Sequence, residues 1–382
     1  MSGRSEGEGN AGVRIAAARR LVIKIGSVLL VDAESGVVRR DWLDALADDV
    51  AELRARDKDV VIVSSGSIAL GQRRLGLTGR RTPKLEEKQA AAATGQIRLA
   101  HAYQESFARH GITVAQILLT VRDIEERRRH LNARNTLDSL LRLGALPVIN
   151  ENDTVATEEI RVGDNDRLAG RVAQMVSADT LVLLSDIDGM YSADPRRDPA
   201  AVLIPEITEI TAEIEAAAGE PRPGVGTGGM VTKLSAAKIA YAAGCRMVIA
   251  DGHGLNPLAR LTDGGRCTWF MPPAEPRTAR KRWIAGTLSP AGTLTLDDGA
   301  VRALRNGKSL LPAGVTQVDG VFERGDAVVL RDLAGRELGR GLSAYSAADA
   351  GRIAGHKSGE IEGLLGYRGR DEMIHRDNLV LM

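Results

Sequence analysis

Five short segments gather residue types that could handle a phosphorylated or ionic ligand. Lys24 sits near the end of an apolar run, Leu21 to Ile25, and is followed closely by Gly26 and Ser27. Ligands of open α/β sheets bind beyond the carboxyl ends of strands, and a glycine there lets a phosphate approach the backbone. Lys24 would then be a point charge for a phosphoryl group; its plainer reading is an edge lysine reaching for solvent. Ser64, Ser65 and Gly66 follow a second apolar run, Val60 to Val63, and precede a helical stretch. Hydroxyls and free amides at a helix start form an anion site, so Ser65 could bind a carboxylate or phosphate, or simply cap the helix.

The densest polar cluster spans residues 146–170. Asn150, Glu151, Asn152 and Asp153 follow a buried strand directly, and Gly163-Asp164-Asn165-Asp166 precedes a helix near Arg167. Such a cluster can grip an ammonium group, a ribose or a metal-bound phosphate. Gly-Asp-Asn-Asp is also good turn chemistry, yet two amide-and-carboxylate clusters so close together exceed what turns need. Ser185 and Asp186 close another buried run, and Asp188 follows, able to hold a nucleotide or to shape a turn. Finally, residues 221–244 carry a glycine-rich loop that opens a helix bearing Lys233 in its first turn. Amide groups, helix dipole and lysine together make a phosphate cradle.

Two lysines at separate phosphate-ready loops, with acidic clusters able to hold Mg²⁺ or an amino group, point to phosphoryl transfer. That reaction asks mainly for positioning and for positive charge where the transition state spreads its negative charge. None of the five segments holds a histidine, so an imidazole base for an alcohol acceptor is lacking, although an Asp could serve. A carboxylate acceptor, with a pKa near about 4.3, is already ionised at neutral pH. The pattern therefore suits a kinase that forms an acyl phosphate. Three motif matches fail on context. Gly224-x-Gly226-x-x-Gly229, with Asp251 downstream, fits a dinucleotide fingerprint but does not follow a strand; Gly307-Lys308-Ser309 lacks the first P-loop glycine; His375-Arg376-Asp377 has no D-F-G after it.

The elements that must carry these residues are legible as short apolar runs: Leu21 to Ile25, Val60 to Val63, Ile117 to Leu119, Leu146 to Ile149, Leu181 to Leu184 and Met247 to Ala250. They are continuous rather than alternating, as in strands covered on both faces. Between the first two, Trp42, Leu46, Val50 and Leu53 mark one face of a helix. Strand and helix in alternation predict an α/β fold, a mostly parallel sheet with helices on both sides. Around residue 271 the texture changes to MPPAEPRTARKRW, a linker. Beyond Pro290, pieces such as Gly292 to Leu296 and Ala327 to Leu330 alternate with Asp-Gly and Asn-Gly turns, which predicts a small β-rich domain. The expected boundaries are a disordered extension over 1–19, a catalytic domain over 20–270, a linker over 271–290, the β-rich domain over 291–368 and a tail over 369–382.

Composition narrows the classes. The 382 residues hold 51 Lys plus Arg against 50 Asp plus Glu, too even a balance for a nucleic-acid or anionic-membrane device. Cys245 and Cys267 are the only cysteines, and the six histidines form no metal-ligand pair, which excludes a disulfide framework and predicts no protein metal site. No apolar run is long enough to span a bilayer, and the first residues lack a signal core, so a cytoplasmic protein is expected.

Taken together, VIKIGS, VSSGSIALG, LNARNTL, PVINENDTVAT, VGDNDRL, SADPR and GTGGMVTK resemble the amino acid kinase family, with NENDTVAT, VGDND and GTGGMxTK in this order the most specific part. The LLPAGV, RGDAV and RIAGHKS segments resemble the PUA domain appended to many members. The resemblance implies an αβα sandwich around a mostly parallel sheet, and a reaction of ATP with the γ-carboxylate of L-glutamate that gives L-glutamyl 5-phosphate, the first step of proline synthesis. By motif, Lys24 and Lys233 would flank the transferring phosphoryl group, with Asp166 organising the two ammonium groups. Ser65, Asp153 and Asn165 would bind glutamate. Ser185, Asp186 and the loop of Thr227, Gly228, Gly229, Met230, Val231, Thr232 and Lys233 would hold ATP, with Mg²⁺ bridging its phosphates. The family often shows a threonine where this chain has Ser27 and Thr-Ser-Gly where it has Ser64-Ser65-Gly66; the hydroxyls survive both changes. The resemblance further implies a homo-oligomer inhibited by proline. Three alternatives remain open: another small acid as acceptor, such as N-acetylglutamate or aspartate, an RNA-binding role for the β-rich domain, and, as a weak rival, NAD(P) in place of ATP at the Gly224 to Gly229 loop. The second is disfavoured because residues 290–382 carry 12 Lys plus Arg against 13 Asp plus Glu, with only Phe322, Tyr345 and Tyr367 as aromatics.

Overall fold

The computed structural model describes residues 10–32, 34–79, 83–155, 165–219, 229–273, 275 and 290–381. The apolar runs fold as β1 (Arg20–Ile25), β2 (Asp59–Ser64), β3 (Val114–Leu119), β4 (Leu146–Glu151), β5 (Thr180–Ser185) and β9 (Arg246–Asp251). Between the last two lie the short strands β6 (Met190–Tyr191), β7 (Leu203–Ile204) and β8 (Glu206–Ile207), and β10 (Cys267–Phe270) follows. One sheet runs in the order β3-β4-β2-β1-β5-β9-β10-β8; β6 and β7 pair separately. From β3 to β9 every neighbour is parallel, and only β10 runs against β9. All six parallel strands thus end at one edge, where Lys24, Ser64, Asn150 and Ser185 cluster.

The helices of this unit are α1 (Asn10–Ala17), α2 (Ser27–Leu30), α3 (Arg40–Ala55), α4 (Ser67–Arg74), α5 (Leu85–Ala108), α6 (Val121–Glu125), α7 (Arg127–Arg142), α8 (Asn165–Met175), α9 (Ala212–Ala217), α10 (Met230–Ala242) and α11 (Pro257–Thr262). Strand residues alternate between two apolar layers because successive side chains point to opposite faces. Leu21, Ile23 and Ile25 join Trp42 and Leu46 of α3 and Leu99 and Tyr103 of α5 in one layer. Val22, Val61, Val63, Leu181 and Leu183 join Leu168 and Val172 of α8 and Leu234 and Ala237 of α10 in the other. The expected face of Trp42, Leu46, Val50 and Leu53 is buried throughout. The result is an αβα sandwich around a mostly parallel sheet.

The chain divides into two compact units, Met1–Pro276 and Arg277–Met382. The second holds β11 (Gly292–Leu296), β12 (Val315–Gly320), β13 (Ala327–Asp332), β14 (Glu337–Leu342) and β15 (Leu379–Leu381), with helices α12 (Asp298–Arg305), α13 (Ala347–Ile353) and α14 (Ile361–Leu365). Its sheet runs β12-β11-β13-β14-β15 over a separate core that includes Leu294, Leu330, Tyr345 and Met373.

Two expectations need correction. The N-terminal extension is not wholly disordered: α1 buries Ala11 and Ile15 in the first apolar layer, and the Arg14 guanidinium pairs with Glu206 at 2.5 Å and lies over the Trp269 ring. The C-terminal stretch is not a loose tail, since Met373 and Ile374 are core residues and β15 pairs antiparallel with β14. In both places isolated apolar residues in a polar run find partners far along the chain. Most of the expected linker, 276–289, lies outside the described residues.

Candidate active site

Position 24 shares the face of Val22, so its side chain emerges toward α8 and α10 at the end of β1. There the Lys24 ammonium lies 2.5 Å from Oδ1 of Asp166, in the first turn of α8. Oδ2 of the same carboxylate is 3.6 Å from the ammonium of Lys233 and accepts a 2.7 Å hydrogen bond from Thr232, both in the first turn of α10. Gly170 lets the two helices meet closely, since a Cβ there would lie 3.0 Å from the Ala236 carbonyl oxygen. All three charged groups are buried. Burial alone would raise the Asp166 carboxyl, but the two ammonium groups and the hydrogen bonds from Lys24 and Thr232 outweigh it and hold it at about 2. The carboxylate is therefore ionised at neutral pH and holds two buried cations at the sheet edge, an arrangement suited to stabilising charge on a phosphoryl group.

On the other side of the same edge lies a network of amides and hydroxyls. Ser64 and Asn150, at even positions of β2 and β4, point toward α5. Tyr103 of α5 donates to Ser64 Oγ at 2.9 Å, and Asn150 Nδ2 donates to Gln96 Oε1 at 2.8 Å and to Ser67 Oγ at 3.1 Å. Asn150 Oδ1 accepts from the Glu151 amide at 2.9 Å. The first residue of α8 crosses to this network: Asn165 Nδ2 lies 2.9 Å from the Ser64 carbonyl oxygen, 2.8 Å from Ser65 Oγ and 3.0 Å from Asn150 Oδ1. Those acceptors fix the Asn165 amide with its oxygen turned away from them. Among the described residues, neither Asn165 Oδ1 nor Asp153 Oδ1, both buried, has a hydrogen-bond partner. Asp153 keeps only a long contact of 3.5 Å from Ser67 Oγ, and burial lifts its carboxyl to about 6. Two unpaired buried acceptors on one strip of surface call for a donor, ideally a cationic one.

The sequence profile of the amino acid kinase family matches residues 19–251, which contain the whole of this arrangement. The chain belongs to the amino acid kinase family. The PUA domain profile matches residues 292–365 in the second unit. This amino acid kinase is 65% identical to a protein named glutamate 5-kinase from Paramagnetospirillum magneticum, over 96% of this chain and 99% of that one. It is 61% identical to the glutamate 5-kinases of Rhodospirillum rubrum and Rhodopseudomonas palustris, over 94% and 95% of this chain and 96% of each of theirs.

The structure of this kinase brings Lys24, Asp166, Thr232 and Lys233 into one cluster, and Ser65, Asn165 and the Asp153 side chain to the neighbouring network. Gly229 is the N-cap of α10, with Met230 and Val231 in its first turn. Thr227, Gly228 and the turn before Asn165 lie outside the described residues. Ser185 donates to Asp186 Oδ1 at 3.0 Å, and Asp186, half exposed, has the Arg196 guanidinium 4.0 Å away. Asp188 is occupied by the Tyr191 hydroxyl at 3.0 Å and by Arg266 at 3.3 Å, so it shapes its turn. Ser65 is not a helix cap: Gly66, at φ 107°, is the N-cap of α4, and Ser65 Oγ instead meets Asn165. Sequence reasoning missed Ser67, Gln96 and Tyr103. Gln96 and Tyr103 stand seven residues apart, on one face of α5, and that spacing was the available signal.

Proposed function

We propose that this kinase transfers the γ-phosphoryl group of ATP to the side-chain carboxylate of L-glutamate, giving L-glutamyl 5-phosphate and ADP, the first step of proline synthesis. The observation that carries the reading is the buried Lys24–Asp166–Lys233 bridge beside the buried acceptors Asp153 Oδ1 and Asn165 Oδ1, unpaired among the described residues. In this mechanism the ammonium of glutamate enters the acceptor strip, between Asp153 Oδ1 and Asn165 Oδ1. A glutamate oxygen attacks the γ-phosphorus in line, forming the acyl-phosphate bond as the bond to the β-phosphate oxygen breaks and ADP leaves. The acceptor carboxylate is ionised at neutral pH, so no general base is required. Lys24 and Lys233 neutralise the equatorial oxygens, and Asp166 holds both ammonium groups in place. Ser185, Asp186 and the residues from Thr227 to Lys233 hold the nucleotide. Among the described residues no cluster of three acidic, His or Cys side chains is placed to hold a metal. Mg²⁺ is read as part of the substrate, carried on the phosphates of ATP.

The test is ADP release with MgATP in the presence and absence of L-glutamate, trapping acyl phosphate with hydroxylamine. Glutamate-dependent ADP matched by hydroxamate is the expected outcome. Turnover on N-acetylglutamate or aspartate with none on glutamate would displace the substrate and keep the reaction class. Homo-oligomerisation and inhibition by proline, both implied by the resemblance, and a cytoplasmic location belong to the same reading. Added L-proline in this assay tests the inhibition.

A further inference from the structure

Asn150 joins the two halves of the acceptor strip, and its orientation depends on α5, the helix that also braces Ser64 through Tyr103. Its Oδ1 accepts from the Glu151 amide and from Asn165, while one Nδ2 hydrogen meets Ser67, the residue in contact with Asp153. The other Nδ2 hydrogen goes to Gln96 Oε1 at 2.8 Å, from the middle of α5. We propose that Gln96 is a positioning residue for the amino-group pocket: its side-chain oxygen locks the Asn150 amide, and Asn150 in turn sets which way the Asn165 amide oxygen faces and how Ser67 approaches Asp153. This inference rests on the glutamate reading of the pocket.

The locking is specific in chemistry. Gln96 supplies Asn150 with an acceptor, so a glutamate side chain at 96 can do the same and a leucine cannot. With leucine, a buried Nδ2 hydrogen loses its partner, and the Asn150 side chain gains rotations that withdraw Oδ1 from Asn165. Such a change weakens ground-state and transition-state binding of the amino group alike, which raises KM and leaves kcat nearly alone. The nucleotide lies at the other cluster, so its KM should stay still.

The experiment is steady-state kinetics on the full chain for Gln96→Leu, Gln96→Glu and Asp153→Asn, with thermal unfolding of each. Gln96→Leu should raise the glutamate KM roughly tenfold, with the ATP KM within about twofold and kcat within about threefold, as loss of one buried hydrogen bond predicts. Gln96→Glu should return the glutamate KM to within about threefold of the parent. An unchanged glutamate KM in Gln96→Leu, a parallel rise in the ATP KM, or a Gln96→Glu no better than leucine overturns the proposal. Should Gln96→Leu fail to fold, Gln96→Glu decides alone, a rise of about tenfold or more counting against the acceptor role. If Asp153→Asn raises the glutamate KM and Gln96→Leu does not, the pocket stands and the positioning role falls. If neither moves it, the pocket reading itself falls and takes this one with it.

Discussion

At the scale of single residues, the two carboxylates at the sheet edge are driven in opposite directions, and each leaves a signature in pH. Asp153 is lifted to about 6 by burial. As pH falls through 6 it becomes neutral and offers an ammonium no charge, so the glutamate KM should climb between pH 7 and 5 by more than the ATP KM does. A flat ratio of the two would remove Asp153 from the amino-group site. For stability, a folded value above the unfolded 3.8 means that Asp153 favours the fold when protonated. That contribution is full below 3.8 and is lost as pH rises through about 6. Asp153→Asn should therefore unfold at a higher temperature than the parent at pH 7 while binding glutamate more weakly. Asp166 behaves inversely, at about 2 when folded: its contribution is present above 3.8 and is lost as pH falls toward 2. Lys24→Ala and Lys233→Ala should each lower kcat by roughly 10² to 10³, the loss typical of an oxyanion-type donor, and near-normal turnover in either would contradict the phosphoryl role. The lysines and Asp166 were legible as isolated signals at strand and helix ends. Their convergence on one carboxylate was legible only through the family resemblance, because contacts made across β1, α8 and α10 leave no periodic trace.

At the scale of elements, α4 and α5 touch backbone to backbone. A Cβ on Gly71 would lie 1.7 Å from the Ala91 carbonyl oxygen, and one on Gly95 would lie 1.8 Å from that of Ser67. Neither helix can yield without moving Ser67 or the Gln96 that follows Gly95. Gly95→Ala should cost about 3 kcal/mol or more in urea unfolding, at the upper end for overpacking, and should raise the glutamate KM of the protein that still folds. Wild-type stability in that variant would show the helices able to part. Strand identity was legible here because the runs are continuously apolar, and the Trp42 face of α3 because its spacing is helical. The α4–α5 contact was illegible, since small residues such as those of AAATGQ fit many surroundings and only the packed partner shows why a side chain is forbidden.

At the scale of the whole molecule, each unit carries its own core, and every described residue of the candidate site belongs to the first. Residues 290–382 should therefore fold alone and unfold in one cooperative transition by calorimetry; a fragment without such a transition would mean that its core depends on the kinase unit. The ends of the chain misled because α1 and β15 are short and held by distant partners, Glu206 and Trp269 for one and β14 for the other. The alternation of β1 bears on which changes of length the chain can survive. Leu21 and Ile23 belong to one layer, Val22 and Lys24 to the other. Removing one residue inside β1 would drive the Lys24 ammonium into the packing of α3 and α5 and deliver an aliphatic side chain to Asp166. The phosphoryl site is thus written in a reading frame of two, and a frameshift of one residue in the strand erases it while most of the text survives.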